Sequence, residues 1–243
     1  ALIPATIISV IFVLINAIFA QTSFTNLHQA VYSIVQVPLQ GLGNTFGSMF
    51  IAVLLMQLLW VLGIHGAMVV MSVMTPIWTA LDLQNLAAFK QGTVRPNIIS
   101  GLTVYSLIPP MLALVLVLLF FAKSKELRTI AKLGAPGAIF GIHEPLIFGL
   151  PIVLNPILAI PYIVGPLVCL TIGYVLTVMN ILPVGFGITV PFGTPIVLSG
   201  ILSGSWKYAV AQVILIPICM LIWYPFVKKL DAQKLESEAK GDK

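Results

Sequence analysis

No ionised side chain occurs before Asp82: residues 1 to 81 contain no Asp, Glu, Lys or Arg. A water-soluble fold needs charged surface over such a length, so this stretch suits hydrocarbon rather than water. Over all 243 residues, 8% are charged and 59% hydrophobic, whereas an ordinary soluble domain carries about 25% charged residues. Backbone polar groups within a bilayer must be satisfied inside one segment, and the fold class expected is all-α and integral to a membrane.

A bilayer core of about 30 Å takes about 20 helical residues. About five spans are read, at 2–20, 48–64, 98–121, 157–180 and 207–227. Basic residues set their orientation. Lys123, Lys125, Arg128 and Lys132 share one loop, and Lys228, Lys229 and Lys234 follow the last span, so both places are assigned to the cytoplasm. Span 98–121 then ends inside and 207–227 begins outside, which admits an odd number of crossings between them. The span 157–180 supplies one. The Gly- and Pro-broken stretches 134–156 and 183–204 are therefore expected to be re-entrant hairpins, each entering and leaving on one side.

Residues 21–47, polar with Phe24, Leu27, Val31, Ile34 and Val35 interleaved, read as an interfacial amphipathic helix ended near Pro38, with His28 structural. Residues 66–92, with Pro76, Trp78 and Asp82, read as a broken segment lying at the interface. A single transport unit over 1–227 is then followed by a charged, solvated cytoplasmic tail, 228–243. The apolar start carries no basic n-region, so a signal peptide is not expected and the chain is expected to begin inside a longer protein. The net charge of +5 sits in clusters beside apolar segments, which points to an anionic bilayer surface and not to nucleic acid. Cys169 and Cys219, in apolar runs without C-x-x-C spacing, read as buried thiols rather than metal ligands or a disulfide.

Of the seven acids, Glu144 alone is read as lying amid apolar residues, in Gly141-Ile142-His143-Glu144-Pro145. A carboxylate there costs several kcal/mol, on the order of a charge burial, unless paired, protonated or wetted. It reads as a ligand or proton site, with a structural helix cap as the alternative. His65, in Gly63-Ile64-His65-Gly66, is the second candidate, because Gly-Ile-His recurs at 141–143; a packing histidine is its alternative. The run from Gly185 to Pro195 offers hydroxyls, exposed backbone and an aromatic ring without charge. That set suits a neutral polyol, unless the break merely packs on its neighbours. Asn155, before Pro156, adds an amide. The sequence lacks a phosphate-cradling glycine loop with its Lys, H-E-x-x-H, an acidic metal cluster and G-x-S-x-G, so ATP hydrolysis, metal catalysis and a bound cofactor are not expected.

The run Gly141-Ile142-His143-Glu144-Pro145-Leu146-Ile147-Phe148-Gly149-Leu150-Pro151-Ile152-Val153-Leu154-Asn155-Pro156, with Gly63-Ile64-His65-Gly66, resembles the membrane IIC component of the bacterial sugar phosphotransferase system, in its lactose, cellobiose and N,N′-diacetylchitobiose branch. The resemblance extends over essentially the whole chain. It implies the C-terminal, sugar-binding half of a ten-span homodimer in the inner membrane, whose N-terminal half dimerises. It further implies that Glu144 and His65 hold the sugar, with Phe192 as the site's aromatic residue, flanked by Thr194, His143 and Asn155. A separate IIB domain would phosphorylate the sugar from a phosphocysteine at the cytoplasmic face, so no phosphoryl-carrying residue is expected in this chain. Two positions depart from the branch: His143 stands where Asn is common, and Phe192-Gly193 where Trp-Thr is commoner. Both bear on which sugar binds. The competing classes are a proton-coupled secondary transporter with Glu144 as its proton site, and a membrane-embedded sensor or scaffold.

Overall fold

The computed structural model describes residues 2–23, 25–26, 45–99, 110–150 and 152–241. These form helices and connecting loops with no strand among the described residues. In chain order the helices are α1 (Leu2–Phe19), α2 (Phe46–Val61), α3 (Gly66–Lys90), α4 (Pro110–Phe121), α5 (Lys125–Ile139), α6 (Glu144–Gly149), α7 (Pro156–Val178), α8 (Leu198–Leu202) and α9 (Trp206–Gly241). Most of the expected interfacial helix at 21–47, His28 included, lies outside the described residues, as does the first part of the span expected at 98–121.

Short polar side chains decide where the helices start. Thr45 and Ser48 form a capping box that opens α2. The Ser124 hydroxyl accepts from Leu127 N–H at the head of α5, and Asn155 Oδ1 accepts from Ile157 and Leu158 N–H at the head of α7. Pro156, the first residue of α7, has no N–H to lose.

Side-chain contacts fix how the helices run. Phe46 stacks on Tyr174 at 4.5 Å, while Leu154 N–H donates to Val61 O at 2.8 Å, so α2 and α7 are antiparallel. Helices α7 and α9 are antiparallel as well: the buried thiols of Cys169 and Cys219 meet at 2.9 Å, and beyond them Lys207 Nζ donates to Ile181 O and the Tyr208 hydroxyl to Pro183 O. At the far end of α9, Asp231 bonds the backbone of Lys123 and Ser124. One end of the bundle therefore gathers residues 45–46, 174–183 and 206–208, and the other 61–65, 122–124, 154–156 and 231. Segments 125–155 and 179–205 each start and finish at a single end.

Two expectations change here. Residues 66–90 are one continuous helix, α3, although Pro76 stands inside it. Its Asp82 and Asn85 depress hydropathy but are buried against protein, so polarity there marks a packed face and not an interface. Among the described residues three helices are long and apolar enough to cross a membrane, α3, α7 and α9, with shorter apolar helices at Thr6–Phe19, Phe46–Val61 and Pro110–Phe121. The charged segment after Val227 is likewise the continuation of α9 to Gly241 rather than a loose tail.

The packing is tight enough that glycine is required where α3 begins: a Cβ on Gly66 would collide with Met56 O of α2. Between apolar helices in lipid, such close backbone contact replaces the hydrophobic drive that operates in water. Gly66→Ala is expected to lower stability by about 1–3 kcal/mol, read as a fall in Tm of the detergent-solubilised protein. Gly92→Ala, at positive φ but with open space around it, should cost about 1 kcal/mol. Equal shifts would contradict the steric account.

Candidate functional site

The two Gly-Ile-His segments share one local geometry. Gly63 and Gly141 take φ of +83° and +76°, the left-handed conformation that ends α2 and α5. In each, the Ile N–H reaches five residues back, from Ile64 to Leu59 O and from Ile142 to Gly137 O, at 2.9 Å in both cases. This is the helix-ending turn in which glycine avoids the Cβ penalty and the leftover carbonyls are satisfied. The histidine that follows opens the next helix, α3 or α6. The recurrence in sequence is a recurrence of structure.

The segments meet across the bundle. His65 Nε2 lies 3.7 Å from Glu144 Oε1, with the side chains 41% and 45% exposed. Glu144 Oε2 also accepts from His143 N–H at 3.0 Å. His65 Nδ1 accepts from Met68 N–H at 3.2 Å, which places the proton of the neutral imidazole on Nε2, facing the carboxylate. The ring is backed by Trp60 at 4.3 Å, and the Trp60–His65 turn rests on 153–154 through Gly63 and Val61. Direct N–H···O bonds span about 2.7–3.2 Å, so this pair is slightly open. A hydroxyl beside it can accept from Nε2–H while donating to Oε1.

Glu144 is thus half-exposed rather than sunk in apolar surroundings; the buried carboxylates among the described residues are Asp82, 3% exposed on α3, and Asp231. Near Asp82, Asn85 and Asn97 exchange two hydrogen bonds and Asn97 Nδ2 reaches Leu81 O and Gln84 Oε1. Asn97, which bonds to Asn85, Gln84 and Leu81, lies at least 12 residues downstream of them, beyond any helical spacing. Trp60 was overlooked, though its position five residues before His65 was a usable signal.

The remaining candidates divide. His143 is adjacent to Glu144 but makes no capping bond with its side chain; burial lowers its pKa to about 4 against the opposing pull of Glu144, and it stays neutral. The Asn155 oxygen is spent on capping α7. Thr194 donates its hydroxyl to Pro191 O, and Phe192 is 86% exposed. The packed ring of that stretch is Phe186, edge-on to Phe89 and covered by the Arg95 guanidinium at 3.9 Å. Ile196 N–H donates to Ile139 O at 3.0 Å, joining the second broken stretch to the end of α5. Among the described residues no group of three or more His, Cys, Asp or Glu could hold a metal ion. What the described residues bring together is one donor and one acceptor, His65 Nε2–H and Glu144 Oε1, both partly exposed.

The family model described as "Phosphotransferase system, EIIC" matches residues 1–166. The oligo-beta-mannoside-specific EIIC component of Bacillus subtilis (strain 168) is 38% identical over 98% of this chain and 55% of its own length. A cellobiose-specific EIIC component of Geobacillus stearothermophilus is 36% identical, again over 98% and 55%. The crystal structure of the transporter ChbC, the IIC component from the N,N'-diacetylchitobiose-specific phosphotransferase system, superposes with a TM-score of 0.78 at 36% identity, covering 98% of this chain and 57% of that one. The chain spans about half the length of the curated relatives it matches.

Two outcomes follow from the geometry. Nitrogen NMR of the full-length protein at pH 8 is expected to show His65 as the Nε2–H tautomer; an Nδ1–H tautomer would refute the capping bond. Asn155→Ala is expected to cost about 1 kcal/mol of stability, as loss of a helix cap does. Ligand affinity should be preserved in the folded fraction, and an affinity loss with unchanged Tm would make Asn155 a ligand contact instead.

Proposed function

The chain belongs to the EIIC family of the phosphotransferase system, and from that premise we propose that it is the sugar-binding half of a IIC transporter. Its substrate is a β-linked disaccharide of the cellobiose, lactose or chitobiose kind. The observation that carries this reading is the meeting of His65 and Glu144 from two distant helix ends, 3.7 Å apart and open to a ligand.

In this reading the Glu144 carboxylate accepts a hydrogen bond from the hydroxyl to be phosphorylated, and His65 Nε2–H donates to that hydroxyl or its neighbour. The hydroxyl oxygen attacks the phosphorus of a IIB phosphocysteine, the P–S bond breaks, the thiolate leaves and the hydroxyl proton passes to Glu144 or to water. Phosphoryl transfer depends mostly on alignment and charge stabilisation, so positioning ranks before base catalysis as the role of Glu144. Phe192, 86% exposed, would stack on a C–H face of the sugar, and Thr194 keeps an oxygen able to accept a hydrogen bond. His143, neutral and beside the carboxylate, bears on which sugar is accepted. A proton-coupled carrier using Glu144 draws no support from the family, and neither does a scaffold.

The same proposal extends to the membrane. Basic residues 123–132 and 228–234 mark the cytoplasmic end, and the stretches 134–156 and 183–204 enter and leave on one side as re-entrant hairpins. The dimer contact is assigned to an N-terminal half of the full-length protein. Single cysteines at Leu133 and Ile157 are expected to react with impermeant reagents from the same side; reaction from opposite sides contradicts the hairpin.

The ligand assignment is tested by calorimetry on the full-length protein. Hydrogen bonds to a charged group are worth about 1.5–3 kcal/mol against about 1 for neutral ones, so Glu144→Gln should weaken sugar binding by about tenfold. His65→Ala should damage the same step, and the double variant should be less than additive. Normal affinity in folded Glu144→Gln protein would sink the assignment. Vesicles supplied with phosphorylated IIB should form sugar phosphate; uptake driven by a pH gradient without phosphate would favour the proton-coupled reading.

A further inference from the structure

The two partners of the site stand at different helix junctions, which touch where the Trp60–His65 turn rests on 153–154. His65 sits at the junction of α2 and α3, whose core is Met49, Val53, Met56, Val70, Met74 and Trp78. Glu144 sits at the junction of α5 and α6, which pack into the other core with α4, α7 and α9. Something must hold α5 in place for a pair at 3.7 Å to persist.

The extension of α9 provides it. Asp231, 7% exposed, accepts from Lys123 N–H with both oxygens at 3.0 Å and from Ser124 N–H at 2.8 Å. Glu238 Oε1 accepts from the Ser124 hydroxyl at 2.6 Å and from Glu126 N–H at 3.2 Å. Lys234 pairs with Glu126 at 2.6 Å. Two carboxylates from one helix thereby serve the unsatisfied amides at the start of another, where negative charge is favoured.

Helix α5 then transmits that anchor with little slack. A Cβ on Gly134 would strike the Leu146 side chain. One on Gly149 would lie 2.9 Å from Ile130 Cγ2, and one on Gly137 would lie 2.9 Å from Ile142 O. Helices α5 and α6 are in backbone-close contact, and a shift of the α5 N-terminus carries the Glu144 turn with it.

We infer that Asp231 is a positioning residue for sugar binding: assisted by Glu238 and Lys234, it holds α5, and through α5 the Glu144 carboxylate, in register with His65. The inference rests on Glu144 as a sugar ligand, and it makes the charged segment after Val227 a part of the binding machinery.

The test uses the full-length protein with cellobiose, lactose and N,N′-diacetylchitobiose as probes, the tightest being followed. Asp231→Asn removes the charge and keeps the shape. Sugar affinity is expected to fall about fivefold, and the nitrogen NMR signal of His65 Nε2, measured without sugar, is expected to move toward its position in Glu144→Gln. A merely structural aspartate at this distance would leave that signal in place. In the Glu144→Gln background, Asp231→Asn should have no further effect on affinity. Should Asp231→Asn not fold, the paired variant Glu238→Gln with Lys234→Gln, which alters only the outer contacts, should shift the same signal in the same direction. An unmoved His65 signal in whichever of these variants folds overturns the inference, as does an affinity loss that adds fully to that of Glu144→Gln. Normal affinity in Glu144→Gln alone would instead overturn the sugar-site reading.

Discussion

The backbone groups left over at helix ends are the constraint from which most of this structure follows. Apolar side chains gain little by turning from lipid to one another, so burial alone does not choose among helix arrangements. An amide or carbonyl without a partner, by contrast, costs several kcal/mol, on the order of a lost hydrogen bond in hydrocarbon. Thr45, His65, Ser124 and Asn155 each open a helix by capping it. Gly63 and Gly141 close two of these, α2 and α5, with a left-handed turn. Where local residues do not suffice, the bond is made across the fold, as from Leu154 to Val61. The helix ends therefore carry both the fold and its chemistry.

The His65–Glu144 pair is a by-product of two such ends. His65 spends Nδ1 on the backbone, and that expenditure points its other nitrogen outward with a proton on it. Glu144 spends one oxygen on the amide of His143 and keeps the other for the site. Each side chain is half structural and half available. That division explains how the competing readings of these residues, as caps and as ligands, describe different atoms of the same groups.

What the sequence made legible follows the range of the interaction. The repeated Gly-Ile-His is local, and it pointed directly at the two helix junctions that meet. The long apolar runs of α7 and α9 were equally plain, since length and hydropathy are properties of a single segment. Helix α3 was misread because Pro76 and Asp82 look like breaks when the surfaces covering them cannot be seen. Gly187, whose close approach to the Asp82 carbonyl leaves no room for a Cβ, lies more than a hundred residues away. The contacts made by the end of α9 are hidden from the sequence for the same reason. A run of Lys, Asp and Glu has the composition of a solvated terminus, and the amides that Asp231 binds are 108 and 107 residues distant.

The thiol contact between Cys169 and Cys219 bears on how such a protein moves. It joins two antiparallel helices, with both residues buried and their sulfur atoms close enough for an S–H···S hydrogen bond. A helix that slides by one turn advances about 5.4 Å, enough to part the two atoms completely. The pair is in effect a vernier between α7 and α9. While the atoms stay together, α7 and α9 keep one register, and any sliding of helices past one another is left to the other contacts of the bundle.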